Sequence, residues 1–416
     1  MKLLFLLVTF NCILFTFQKF GFGVQKLRDS SYKKKLFLVA PDPKCQNVTT
    51  HWFRDAVIDN FAPISKQRKW IGKGQRYYLN KQFWGGNGYP IFVFIGGEGE
   101  ERCTRLTNKS HLFVQAQQHR ALLVDVEHRF YGESYPTPDM STENLQYLSS
   151  EQALADLARI IGFIKSDLNT TESKVLTVGG SYPGNLAAWF RLKYPSVTQG
   201  SIASSAPLLA KTDFYEYMEV VGEALRYFGG DKCFDMMTEA SHFIAELLNS
   251  GPGLTWKQIE KDFELCSPLE STNDVSILLS NLMGYIQGTV QYNNEHQGVL
   301  NVTDICKIMG TDLREAYENF IILAEVYRNV SNITCENTRW NDSISFLSDV
   351  KMDPANNARP WTYQTCNEFG YFQTTNSRNQ PFFHWTPWLN LTFYMDICRE
   401  AFNGWTSLPM VIKILN

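Results

Sequence analysis

Between residues 89 and 210, short apolar runs alternate with stretches of helical spacing. Ile91-Phe-Val-Phe-Ile95 is an unbroken apolar run stopped by Gly96-Gly97, the pattern of a strand buried on both faces. Ala121-Leu-Leu-Val-Asp-Val126 is a second run, Val175-Leu-Thr-Val178 a third, and Gly200-Ser-Ile-Ala-Ser-Ser-Ala206 a fourth, closed by Pro207. Between the second and third, Ala153, Leu154, Leu157, Ile160, Ile161 and Ile164 fall on one helical stripe, with Ser149 or Ser150 placed to cap it. A helix over residues 185–193 follows the third strand and ends near Pro195. Strands alternating with helices predict an α/β fold with a mostly parallel sheet and helices on both faces.

Beyond residue 211 the rhythm changes. Helical spacing dominates over residues 220–228, 240–248, 275–286 and 313–327, with Gly and Pro breaks between them. The expected organisation is therefore a core over 24–211, an inserted helical cap over 212–357, and an incomplete return to the core over 358–416. Residues 1–23 predict a cleaved export signal. Lys2 precedes an apolar run over 3–17, interrupted by Thr9, Asn11, Cys12 and Thr16, shorter than the roughly 20 residues a membrane span needs. No later segment is long and apolar enough to span a bilayer.

Composition sharpens this reading. The 416 residues suffice for two domains or for one large core with an insertion. A formal net charge of -3 leaves no footprint for nucleic acid, and Lys33-Lys34-Lys35 reads as a solvated patch. Asn-x-Ser/Thr sequons stand at Asn47, Asn108, Asn169, Asn301, Asn329, Asn332, Asn341 and Asn390, a density that suits a glycosylated, exported surface. Of nine cysteines, removal of Cys12 with the signal leaves eight, and an even number in an oxidising compartment predicts disulfides whose pairing the sequence leaves open. No Cys/His spacing matches a zinc site, so no metal is expected.

The candidate chemistry centres on Val178-Gly-Gly-Ser181-Tyr-Pro-Gly184. A serine between small residues, after a strand and before a helix, is a nucleophile elbow of the α/β-hydrolase type, whose sharp turn exposes the hydroxyl above the sheet. The usual pattern is Gly-x-Ser-x-Gly; here Pro183 occupies the second glycine's place and Gly stands at 184. Ile95-Gly-Gly-Glu-Gly-Glu100 follows a strand directly, as expected of the loop that lends one backbone N–H to an oxyanion hole. Tyr182 would lend the other, with Gly97 or Glu98 as its partner. This glycine run is not a dinucleotide fingerprint, because Arg102 stands where the third small residue should be, and no cofactor is expected.

Several blocks together resemble the prolyl carboxypeptidase, dipeptidyl peptidase II and thymus-specific serine protease family, the thymus-specific branch most of all. They are Phe94-Ile-Gly-Gly-Glu-Gly-Glu100, Glu127-His-Arg-Phe-Tyr-Gly-Glu-Ser134, Tyr147-Leu-Ser-Ser-Glu-Gln-Ala-Leu-Ala-Asp156, Gly179-Gly-Ser-Tyr-Pro-Gly-Asn-Leu-Ala-Ala-Trp189 and Trp361-Thr-Tyr-Gln-Thr-Cys-Asn-Glu-Phe-Gly-Tyr371. The resemblance runs from about Trp52 to Cys398. It implies an α/β-hydrolase core with a helical cap, a secreted or lysosomal location, an acidic working pH, a possible homodimer, and exopeptidase action on peptides, usually proline-linked.

The resemblance also implies a triad acid in an Asn-Gly-x-x-Asp-Pro-Trp-like segment and a base in a His-Cys-like segment, and neither stands in this sequence. After Ser181 the histidines are His242, His296 and His384; His384, with Asp353 or Asp396 as acid, is the least implausible substitute. His128, before the serine, reads as structural. Glu98, Glu127 and Glu133 are candidates for a substrate amino group, or for ordinary ion pairs. Two expectations follow: a serine exopeptidase of which this is a shortened version, or a catalytically dead homologue that acts by binding or has no function.

Overall fold

The computed structural model describes residues 45–295 and 300–403. The expected signal over 1–23, the Lys33-Lys34-Lys35 run and His296 lie outside the described residues. The described chain divides into two compact units: one takes the described part of Lys34–Leu209 with Val350–Gln364, the other Ala210–Asp349 with the described part of Thr365–Asn416.

The first unit runs β1 (Val48–Phe53), β2 (Gln75–Asn80), β3 (Ile91–Ile95), α1 (His111–His119), β4 (Leu122–Val126), α2 (Thr142–Leu145), α3 (Ser150–Asp167), β5 (Val175–Gly180), α4 (Tyr182–Lys193) and β6 (Gly200–Ser204). The six strands form one sheet in the order β1-β2-β4-β3-β5-β6. Strands β3 to β6 are parallel, while β1 and β2 are antiparallel additions at one margin. Every side chain of β3 and β4 is buried, so an unbroken apolar run is what the position demands, each large side chain contributing about 1.5–3 kcal/mol. Phe92, Phe94 and Leu123 pack on Leu112 and Ala116 of α1, while α4 packs on β3, β5, β6 and α3. Ser149 is the residue that caps α3, its side chain accepting from the Gln152 N–H. At the far margin β6 closes the sheet among the described residues, with Ile202 45% exposed.

Strand β2 gave no apolar signal because half of its buried residues are polar, and these find partners inside. Gln75 donates to the Glu127 carbonyl at 2.8 Å and Asn80 to the Leu106 carbonyl at 2.8 Å.

The second unit is helical: β7 (Lys211–Asp213), α5 (Glu216–Asn249), α6 (Leu254–Asp262), α7 (Thr272–Gln291), α8 (Val302–Met309), α9 (Ala316–Ser331) and α10 (Trp340–Ser348). The chain then supplies α11 (Ala358–Gln364) to the first unit before β8 (Gly370–Phe372) and α12 (Leu391–Ala401). Strands β7 and β8 pair in parallel. The helices expected over 220–228 and 240–248 are two arms of α5, broken at Gly230, whose φ is 72°. Before the break, Gly229 lies against a disulfide, since a Cβ there would stand 2.3 Å from Cys306 Sγ. All eight expected cysteines pair, as Cys45–Cys103, Cys233–Cys306, Cys266–Cys335 and Cys366–Cys398.

One residue of β4 sets a pH dependence. Asp125 is fully buried; desolvation first, then the neighbouring Glu101 carboxylate, push its pKa well above the usual carboxylate range. A carboxyl raised in the native state contributes stability below its unfolded pKa, and this is lost as pH rises through the native value. Asp125→Asn should remove that loss. Urea midpoints from pH 5 to 9 should fall with rising pH more steeply in the wild type than in the variant; parallel curves would rule this origin out.

Candidate active site

Strand β5 ends at Gly180 and α4 begins at Tyr182, which leaves Ser181 alone at the junction. Its backbone stands at φ 60° and ψ -134°, a conformation that costs a residue with a side chain about 1–3 kcal/mol. Hydrogen bonds hold it there. The Ser181 N–H donates to the Ser204 carbonyl at 3.0 Å, and the Ser181 carbonyl accepts from Gly184 and Asn185 at 2.8 and 3.2 Å. The side chain does not cap the helix, and the residue is half-buried.

Glycines make the turn possible. A Cβ on Gly179 would lie 2.0 Å from the Pro183 carbonyl oxygen, and one on Gly184 would lie 2.9 Å from that of Ser204. The displaced Gly184 thus lets α4 approach the end of β6. Pro183 sits in the first turn, where a missing N–H costs nothing. Its ring packs on the glycine loop after β3, since a Cβ on Gly97 would stand 2.4 Å from Pro183 Cγ. Elbow and loop are therefore in direct contact, with Gly97 and Glu98 both buried. The loop is anchored where Gly96 donates to the Val126 carbonyl at 2.8 Å. Tyr182 begins α4, where amides lack an intrahelical acceptor and the helix dipole favours negative charge.

The block Glu127-His-Arg-Phe-Tyr-Gly-Glu-Ser134 is a bracket around this region. The buried Glu127 carboxylate accepts from Arg76 at 2.5 Å, the Glu101 N–H at 3.1 Å, the Glu133 N–H at 3.0 Å and the Ser134 hydroxyl at 2.6 Å. Desolvation lifts its pKa to about 7, against these donors, which favour the charge. Gly132, with φ 58°, makes room for it: a Cβ there would lie 1.8 Å from Glu127 Oε1. Arg129 forms a fork on Asp156 at 2.6 and 2.7 Å and also donates to the Ile58 and Tyr147 carbonyls. His128 is buried, bonded through Nδ1 to the Arg129 carbonyl at 2.7 Å and through Nε2 to the Tyr182 hydroxyl at 2.9 Å. Burial holds its pKa down to about 3. Glu133 is partly exposed and holds Arg76 at 3.1 Å and Lys73 at 3.4 Å.

The remaining sequence candidates lie elsewhere. His384 belongs to the helical unit, its ring stacked 4.2 Å from His242, and burial with that neighbour lowers its pKa. Asp353 is exposed and accepts from the Ala355 N–H at 2.9 Å. Asp396 pairs with Arg399 on α12. Asn47, Asn108, Asn169, Asn329, Asn332 and Asn341 are exposed, whereas Asn301 and Asn390 are partly buried caps of α8 and α12. Among the described residues no cluster is arranged to hold a metal and no helix is long and apolar enough to cross a membrane. Sequence reasoning missed Gln364 and Tyr131. Gln364 lies in a block whose composition was noticed, but only the fold shows that its amide reaches Tyr182 at 3.0 Å.

A parallel sheet with antiparallel additions at one margin, carrying a serine on a strained strand-to-helix turn, defines an α/β hydrolase. The serine carboxypeptidase S28 family profile matches residues 56–412, and the chain belongs to that family. A Caenorhabditis elegans relative is 34% identical over 384 residues, 88% of this chain and 69% of that protein. The thymus-specific serine protease of Mus musculus is 32% identical over 389 residues, 91% of this chain and 74% of that protein. The lysosomal Pro-X carboxypeptidase of Homo sapiens is 38% identical over 231 residues, 52% of this chain and 46% of that protein.

The elbow's steric demand gives a paired prediction. Gly179→Ala forces a methyl into the Pro183 carbonyl and should destabilise by about 1–3 kcal/mol. Gly162→Ala, inside α3 with nothing within 4 Å, should instead stabilise by about 0.5–1 kcal/mol. Opposite shifts in urea midpoint check the pair; two shifts of the same sign would contradict it.

Proposed function

We propose that this chain is a serine exopeptidase of the S28 family that cleaves peptides at proline-linked sites through an acyl-enzyme on Ser181. The observation that carries the reading is Ser181 itself, held at φ 60° between β5 and α4 with the Gly97 loop packed against its elbow. Its hydroxyl attacks the scissile carbonyl. The N–H of Tyr182 and that of Gly97 or Glu98 receive the developing oxyanion, each donor contributing about 2.7–4 kcal/mol to the transition state. A general base, which the family resemblance implies in a His-Cys-like segment, takes the serine proton and gives it to the amine as the C–N bond breaks, and water then hydrolyses the ester, releasing the acid and restoring the hydroxyl. The sequons and the paired cysteines support work in an oxidising lumen, secreted or lysosomal, and the name of the human Pro-X carboxypeptidase supports the proline preference. A homodimer is part of this proposal by family resemblance alone.

One observation favours a second reading, a dead homologue that acts by binding. The serine needs a histidine to take its proton, and His128, the histidine bonded to the elbow, has both ring nitrogens engaged. A fluorophosphonate probe separates the two. Labelling mapped to Ser181, abolished in Ser181→Ala and accompanied by release of terminal fragments from proline-containing peptides, is the expected result. Absence of labelling on a folded chain favours the binding protein.

A further inference from the structure

Four side chains behind the elbow form a hydrogen-bonded chain whose direction is fixed at one end. The Arg129 carbonyl can only accept, so His128 Nδ1 carries the proton of that 2.7 Å bond. Burial keeps the imidazole neutral, so Nε2 is an acceptor and the Tyr182 hydroxyl donates to it at 2.9 Å. The Gln364 amide then donates to the Tyr182 oxygen at 3.0 Å, and the Tyr131 hydroxyl donates to Gln364 Oε1 at 2.7 Å. All five residues belong to the first unit, and the four side chains are buried. The Tyr182 ring is further confined by His128 at 5.6 Å and Trp361 at 5.5 Å between centroids.

We propose that this chain makes His128, Gln364 and Tyr131 positioning residues for the oxyanion-hole amide of Tyr182, by clamping the far end of the side chain attached to it. The inference rests on the reading of Ser181 as nucleophile. The residue after the serine leads from a strained turn into a helix, and its amide must point at the spot where charge develops. The Gln364 donor and the His128 acceptor, with the Ser150 hydroxyl a longer contact at 3.4 Å, fix the phenol at its far end and so restrict the orientation of the ring. That constraint passes along two bonds to the backbone. It also assigns a task to the histidine at 128: it is an acceptor for a tyrosine, held in one tautomer.

The test uses the full chain and the rate constant for fluorophosphonate labelling of Ser181 between pH 5 and 8. Tyr182→Phe keeps the ring and removes the bonds to His128 and Gln364 together with the longer Ser150 contact. It should slow labelling about 5- to 10-fold at every pH, the size of one to two net hydrogen bonds. Gln364→Glu supplies a pH signature that a merely structural role would not produce. Protonated, the new carboxyl donates to Tyr182 and accepts from Tyr131 as the amide did, so labelling should match the wild type in acid. Ionised, it can only accept, drawing the Tyr182 proton away from His128, and labelling should fall about 5- to 10-fold as pH rises. Nitrogen-15 spectra of His128 should show a protonated Nδ1 and a bare Nε2 across the range, independent of activity. A wild-type rate in Tyr182→Phe, a Gln364→Glu profile that tracks the wild type, or a protonated Nε2 overturns the inference while leaving the nucleophile standing. Wild-type labelling that survives Ser181→Ala, or no labelling at all, removes the nucleophile and the inference with it.

Discussion

The region around the elbow depends on one buried carboxylate. Taking Glu127 out of water costs several kcal/mol unless every lone pair is met, and here four donors from three parts of the chain converge on it. Arg76 comes from β2, an amide comes from the end of the glycine loop, and the remaining two donors come from the turn at 133–134. Removing any of these leaves the buried carboxylate short of a donor and so raises the cost of keeping it charged. That turn has no freedom to drift, because Gly132 lies within a side chain's width of the carboxylate. From the next two residues the same segment reaches outward, His128 to the elbow tyrosine and Arg129 to α3 through Asp156. A strained serine persists only where its surroundings over-determine it. Here those surroundings are traceable to a short acidic and basic motif rather than to apolar packing alone.

Much of this was legible from the residues. Strands β3 and β4 announced themselves because parallel strands buried on both faces favour apolar runs, β5 and β6 because short runs end at the elbow and before Pro207, and α3 because its stripe and cap coincide. The elbow was visible from a serine among small residues with a strand before it and a helix after it, even with Gly184 one place late. Its offset has a physical reason in the contact with Ser204, which no pattern of letters carries. Strands β1 and β2 were not legible. A buried Arg76 in a strand looks like a surface residue until its partners from distant positions are known. The short helices α6, α8, α10 and α12 escaped because each spans only two or three turns, too few for periodicity to stand out.

The site shows the same division. Ser181 could be singled out because a strained turn has a local signature. The tie between residues 182 and 364 could not, since it joins positions 182 apart through side chains whose pairing depends on the finished fold. Long-range polar networks are invisible to local reasoning. In this chain they surround the elbow, and Glu127, one of the three Glu residues named as candidates for a substrate amino group or for ion pairs, is a buried structural hub.

The margin of the sheet carries a consequence of another kind. Strand β6 ends the sheet among the described residues, and its Ile202 faces water. A free strand edge with no charged guard is a template for the edge of another molecule. Wherever such an edge is left uncovered, its unpaired backbone groups can accept a further strand, a property of the border that is separate from whatever chemistry the serine performs.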